Sequence, residues 1–164
     1  MARTSAPLSS SLLDAAEVDS EAISALYASV WPDRPDFATR QLPLHLARPG
    51  FTLALSPSRG FAYGYTGARG QYWTDIVASR MTPDAAATWL GAHFEFVELA
   101  VTPQAQGRGI GRQLATTLLN SRTESRSLLQ VAATNAPARA LYESLGFREV
   151  AHLGAQLFLG KVLT

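Results

Sequence analysis

The chain has no cysteine among its 164 residues. Disulfides, thiolate nucleophiles, cysteine metal sites and a cysteinyl acyl-enzyme are thereby excluded. Long hydrophobic runs are missing too: nothing approaches the roughly 18 apolar residues of a membrane span, and the opening MARTSAPLSSS lacks the apolar core of a signal peptide. Net charge is small, with 14 basic against 13 acidic side chains giving +1. That is not the basic excess of a nucleic-acid or membrane-surface protein. The three histidines, His45, His93 and His152, have no metal-ligand spacing. No metal site is expected, and exposed or helix-end positions are expected for them, although His93 stands two residues before Glu95. What remains is 47% hydrophobic and 16% charged, enough for one domain with a real core. The expectation is a soluble cytoplasmic protein with neither a nucleic-acid nor a membrane partner.

Residues 1–12 are rich in Ser, Thr and Pro and read as a flexible tail. Asp19 or Ser20 caps a helix with the apolar face Ile23, Leu26, Tyr27 and Val30. A weaker helix covers 37–46, and a short strand covers 51–56 before a tight turn at 57–60. In 60–77, Phe61, Tyr63 and Tyr65 alternate as on a strand, then come a Gly-rich loop and a stretch holding Tyr72 and Trp73. A short helix begins at Thr82-Pro83 and runs through Trp89. A strand over 94–101 feeds a glycine-studded turn. The helix after it buries Ile110, Leu114 and Leu118. A strand over 128–133, a helix ending at Leu145 with Gly146 beyond it, and strands over 147–151 and 156–163 complete the chain. With no internal repeat and no long linker, this is a mixed α/β sheet with helices on both faces.

The segment VELAVTPQAQGRGIGRQL (97–114) is the most informative. A strand runs into a turn where Gly107, Gly109 and Gly111 alternate with Gln106, Arg108, Ile110 and Arg112, and the turn opens into an amphipathic helix. Backbone N–H groups and the positive end of a helix dipole converge on one spot, which suits a phosphate. Arg108 and Arg112 add charge at the rim. The P-loop pattern fails because it needs GxxxxGK. The dinucleotide pattern fails because Leu114 stands where the third Gly or Ala belongs.

A third pattern fits. Gln106, Gly109 and Gly111 resemble the acetyl-CoA-binding motif Q/R-x-x-G-x-G/A of the GNAT superfamily of N-acetyltransferases, with LAVTP (99–103) in front of it. Asn135, Ala138 and LYESLGF (141–147) resemble the second signature, N-x-x-A-x-x-L-Y-x-x-x-G-F. The resemblance covers about 94–150. It implies the GNAT acyl-CoA N-acyltransferase fold, an α/β (α+β mixed-sheet) fold whose central sheet splays between the strands at 94–101 and 128–133. It further implies a single domain over 13–164, with an acceptor-side half (13–93) and an acetyl-CoA-binding half (94–164).

The same resemblance implies roles. The pantetheine arm would lie along Leu99, Ala100 and Val101, whose strand edge needs partners. Gln106, Gly107, Arg108, Gly109, Ile110, Gly111 and Arg112 would take the pyrophosphate, and Asn135 and Ala138 would line the far side. Tyr142 would stand near the thioester sulfur as a proton donor, although it shares a helical face with Ala138, Leu141 and Leu145 that also suits core packing. The acceptor ammonium, with a pKa of about 10.4, must lose a proton near neutrality at a cost of ~4.6 kcal/mol. Glu95 and Glu98 are the candidate bases, directly or through water, and strand alternation puts them on opposite faces. Gln130, where another branch keeps an acid, cannot take a proton. Tyr63, Tyr65 and Trp73 either wall an acceptor pocket or pack as core.

The reading is an enzyme moving an acetyl group from acetyl-CoA to a small-molecule or peptide amine in a ternary complex. A non-catalytic acyl-CoA sensor is the alternative, and a homodimer is left open.

Overall fold

The structure, a computed structural model, describes residues 10–164. Its spine is β4 (Phe94–Val101). Phe94 and Phe96 alternate with Glu95 and place aromatic rings on one face. β4 lies fourth in a seven-stranded sheet of order β1-β2-β3-β4-β5-β7-β6. β1 (Ser11–Leu13), β2 (Thr52–Ser56) and β3 (Gly60–Thr66) form an antiparallel meander on one side. On the other side lie β5 (Arg126–Ala132), β7 (Gln156–Val162) and β6 (Arg148–Leu153). Among the described residues only β4 and β5 run parallel, joined by the crossover helix α5 (Ile110–Asn120).

Helices cover both faces. On one, α1 (Ser20–Val30) and α2 (Leu42–Leu46) bring Ile23, Tyr27 and Leu42, with Phe37 of the turn before α2, against Leu53, Phe61, Tyr63 and Tyr65. On the same face, α3 (Tyr72–Ser79) and α4 (Pro83–Trp89) set Val77, Ala86 and Trp89 against Leu128 and Phe158. On the opposite face, Ile110, Leu114 and Leu118 of α5 pack with Ala54, Ala62, Phe94 and Phe96. They are joined there by Tyr142 of α6 (Ala136–Ser144). Burying about a dozen such side chains at roughly 1.5–3 kcal/mol each opposes the chain entropy lost on folding.

Caps follow the sequence signals. Asp19 accepts from Ala22 N at 3.1 Å, and Thr82 Oγ1 accepts from Ala85 N at 3.2 Å. Three details differ from expectation. Ser11 and Leu12, assigned to the tail, pair with Leu55 and Ala54 as β1. Ser10 Oγ is hydrogen-bonded to Thr117 Oγ1 at 3.0 Å, and the rest of that tail, 1–9, lies outside the described residues. The weak helix over 37–46 is a π-type turn (Phe37–Gln41) followed by α2, because Pro43 sits in the first turn of α2 and interrupts continuous bonding. Tyr72 and Trp73 open a helix, with Tyr72 left 81% exposed.

Candidate active site

The turn after β4 has open backbone. Gly107 and Gly109 adopt φ of 77° and 78°, a region other residues enter at a penalty. A Cβ built on either would meet nothing within 4 Å. Gly109 caps α5 with no side-chain hydrogen bond, and the first turn of the helix closes with Gln113 N donating to Gly109 O at 3.1 Å. The N–H groups of Ile110, Gly111 and Arg112 precede that bond and are left for an anion.

Two residues of the expected cradle act differently. Gln106 Nε2 donates to Val101 O at 3.0 Å, fastening the turn to the end of β4. Arg112 donates to Ser144 Oγ at 2.7 Å, so its guanidinium joins α5 to α6 instead of standing free at the rim. Arg108 is exposed.

β4 and β5 pair only at Phe94–Ser127 and Glu95–Leu128. Beyond that point the two strands part. Leu99, Ala100 and Val101 pair with Ala62, Phe61 and Gly60 of β3, and their other edge has no partner in β5. An unpaired edge inside a fold presents N–H and C=O groups that need partners. Tyr142 packs beside this gap, edge-on to Phe96 at 5.8 Å and Phe147 at 5.9 Å. Its hydroxyl makes no hydrogen bond among the described residues. Burial, and then the nearby Glu98 charge, push its pKa above the ordinary tyrosine range. Tyr142 is thus part of the core and also a phenol with an unused hydroxyl. Asn135 Oδ1 accepts from Ala138 N at 3.2 Å, so this side chain serves as the cap of α6.

The carboxylates require a correction. Three residues apart on a regular strand, Glu95 and Glu98 would face opposite ways. Instead Tyr63 pairs with Glu98, Gly64 with Phe96 and Tyr65 with Glu95. Val97 is the extra residue of a β-bulge, and the bulge returns Glu98 to the face of Glu95. Gly64 permits the close approach, since a Cβ there would lie 2.1 Å from Glu95 O. Both carboxylates therefore share the α1–α4 face with Tyr63 and Tyr65. Burial is the largest influence on each and raises both pKa values to about 7, with Tyr65 and Arg48 opposing at Glu95 and Arg34 opposing at Glu98.

The aromatic residues divide. Tyr63 is fully buried, and its hydroxyl lies 2.7 Å from His45 Nδ1, so it is core and not pocket wall. Tyr65 is 4% exposed and donates to Glu95 Oε1 at 3.0 Å. Trp73 is half-buried; its Nε1 donates to Gln130 Oε1 at 2.8 Å, and Gln130 in turn donates to Gln156 Oε1 at 3.1 Å. Of the three histidines only His93 departs from expectation, since His45 lies in the last turn of α2 and His152 is exposed. Fully buried His93 packs against Gly67, and burial lowers its pKa to about 4. His45 is half-buried, and only His152, beside Glu149 at 3.2 Å, is exposed. Sequence reasoning gave no role to His45 or Arg48, which lie far from any motif and reach the site only through folding.

A family model described as an acetyltransferase (GNAT) domain matches residues 69–149, from the loop before α3 into β6. Over that segment the chain matches a GNAT acetyltransferase domain. It is similar to the GCN5-like protein acetyltransferase of Mycobacterium tuberculosis, 40% identical over 106 residues covering 60% of this chain and 52% of that protein. It is also similar to the mycothiol acetyltransferase of Salinispora arenicola, 31% identical over 151 residues covering 84% of this chain and 44% of that one. The chain thus spans about half the length of these curated relatives. Among solved structures, yncA of Salmonella typhimurium with its cofactor acetyl-CoA superposes with a TM-score of 0.62 at 21% identity, covering 97% of this chain and 95% of that one. The likeness establishes the GNAT acyl-CoA N-acyltransferase fold, with its mixed sheet and helices on both faces.

Proposed function

We propose that this chain is an acetyl-CoA-dependent N-acetyltransferase acting in the cytoplasm on a primary amine. The observation that carries the reading is an uncapped helix N-terminus one short turn after a strand whose far edge has no partner strand beyond Glu95. Adenine nucleotides in general would use the first feature; an extended, amide-bearing arm uses both. The residues fit the group. N–H groups from Gly107 to Arg112 would hold the diphosphate, and Leu99, Ala100 and Val101 would pair with the arm. Ala138 and the Asn135 cap would bound the far side. The GNAT domain match and the Salmonella structure that holds acetyl-CoA support it.

Acetyl-CoA supplies an acyl thioester that a neutral amine can attack. The protein's own groups do the rest. Glu95 and Glu98, held near neutrality by burial, suit removal of a proton from the acceptor ammonium at physiological pH. Tyr142 keeps its proton in a dry setting beside the gap, where the leaving sulfur needs one. Backbone N–H groups of β4 next to the bulge suit a carbonyl oxygen that gains charge. Trp73 and Tyr65 form the aromatic boundary on the acceptor side. The relatives' names point to different acceptors, a protein for one and mycothiol for the other, so the acceptor proposed is a small-molecule or peptide amine.

Thiol release measured with an amine panel, and mass spectrometry of the products, test this reading. Acetylated amine and free CoA in equal amounts are expected. Tight CoA binding with no thiol release across the panel would replace it with the acyl-CoA sensor. Light scattering decides whether the chain acts as a homodimer.

A further inference from the structure

The two oxygens of Glu95 are in different situations. The residue is 5% exposed. Oε1 accepts from the Tyr65 hydroxyl at 3.0 Å, while Oε2 is buried and has no hydrogen-bond partner among the described residues. A carboxylate that turns freely exchanges its oxygens; a donor fixed on one side stops that exchange.

Tyr65 is itself fixed. Its backbone lies in β3, paired to Glu95 across the sheet. Its ring is 5.9 Å from the Arg48 guanidinium and 5.3 Å from the His45 imidazole. His45 is anchored at Nδ1 by the Tyr63 hydroxyl at 2.7 Å. Burial, first of all, and the neighbouring carboxylates keep the Tyr63 phenol protonated. Burial and then Arg48 lower the His45 pKa to about 4, so the ring stays neutral and adds no competing cation. Two tyrosines of one strand, a histidine of α2 and an arginine just after α2 thus hold one carboxylate oxygen. Glu98 has no such support: among the described residues it makes no hydrogen bond or ion pair.

Resting on the acetyltransferase reading, we propose that Tyr65 is a positioning residue that clamps Oε1 of Glu95 and leaves Oε2 as the atom that takes the acceptor's proton, directly or through one water. The proton balance is closed. The R–NH3+ acceptor gives one proton to Oε2 and becomes R–NH2, while Glu95 becomes a neutral acid whose Oε1 still accepts from Tyr65. The titratable and charged groups that face Glu95 are Tyr63 and Tyr65 from β3, His45 and Arg48 from the α2 segment, and Glu98 from its own strand.

The test is Tyr65→Phe, which deletes one hydroxyl and keeps the ring. The Tyr65 O–H favours ionised Glu95, so its loss raises the Glu95 pKa above about 7. Two readouts follow this. One is a carbon-13 NMR titration of the Glu95 carboxyl, its signal assigned with Glu95→Gln; the other is the acid limb of kcat/KM against pH. Both midpoints are expected to rise together by about one pH unit, with KM for acetyl-CoA unchanged. Arg48→Gln, on the rim of the cluster, is expected to move both in the same direction by less. A Glu95 titration unmoved in Tyr65→Phe overturns the clamp. A titration that moves while the rate profile stays put overturns the assignment of Oε2 as proton acceptor. A wild-type chain that acetylates no amine yet keeps the Tyr65-dependent titration overturns the acetyltransferase reading and leaves the clamp standing.

Discussion

From β4 to β6 the groups placed to hold a ligand belong mostly to the main chain: the N–H groups at the start of α5 and the edge at Leu99–Val101 that β5 leaves without a partner strand. From β1 to α4 they are side chains gathered by packing, with Tyr65, His45 and Arg48 arranged around Glu95. A main-chain site depends on turn geometry, which a few glycines and a strand–helix junction specify locally. A side-chain site depends on which helix lies over which strand. The contrast teaches where each half is fragile: the first to anything that fills the turn, the second to single atoms.

Gly109→Glu tests the first half and carries the largest expected effect. It forces a side chain into φ of 78° and puts a negative charge where the diphosphate would sit. Calorimetric affinity for acetyl-CoA is expected to fall by more than about a hundredfold, or roughly 3 kcal/mol, with the circular-dichroism spectrum retained. Glu95→Gln tests the second half. A drop in kcat of about a hundredfold is expected, with acetyl-CoA affinity intact; equal losses in both would erase the division between halves. Tyr142→Phe lies on the border and is expected to lower kcat by about tenfold with KM little changed. An unchanged rate would leave Tyr142 as packing against Phe96 and Phe147. Trp73→Phe removes the donor to Gln130. It is expected to raise the acceptor's KM a few-fold, on the order of 1 kcal/mol, and to leave acetyl-CoA binding alone.

The smallest effect is one of stability. Burial raises the Glu98 pKa from 4.5 to about 7, so the folded chain holds that proton more tightly than the unfolded chain. Its contribution is fully present below about pH 4.5 and is lost as pH rises through 7. Glu98→Gln is therefore expected to raise the melting temperature at pH 8 and to change it little at pH 5. The reverse pattern would mean that Glu98 is stabilised as a carboxylate.

The comparison also explains what was legible beforehand. β4 is legible at 94–101 because its strand pattern ends in a Pro and a glycine turn, and α5 because Ile110, Leu114 and Leu118 repeat at helical spacing. The caps Asp19, Thr82 and Asn135 each follow a rule confined to a few residues. The bulge at Val97 was not legible. One extra residue leaves no mark in the pattern FEFVELAV, yet it decides which way Glu98 faces. Nor could the sequence separate the three aromatics proposed for the acceptor side. Tyr63 and Tyr65 sit on one strand face with similar neighbours in sequence; only the approach of His45 to one and of Glu95 to the other divides them. The burial of His93 is not legible because a lone histidine carries no periodicity, and only folding brings Gly67 against its ring. Arg112 looked like a rim cation until α6 brought Ser144 within 2.7 Å of it.

A crystal structure of the chain grown with acetyl-CoA tests the central claim most directly. The diphosphate should lie within hydrogen-bond distance of the amides between Gly107 and Arg112, with the amide-bearing arm paired along Leu99–Val101. Coenzyme density elsewhere, or a groove between β4 and β5 filled by the protein's own side chains, would contradict the account.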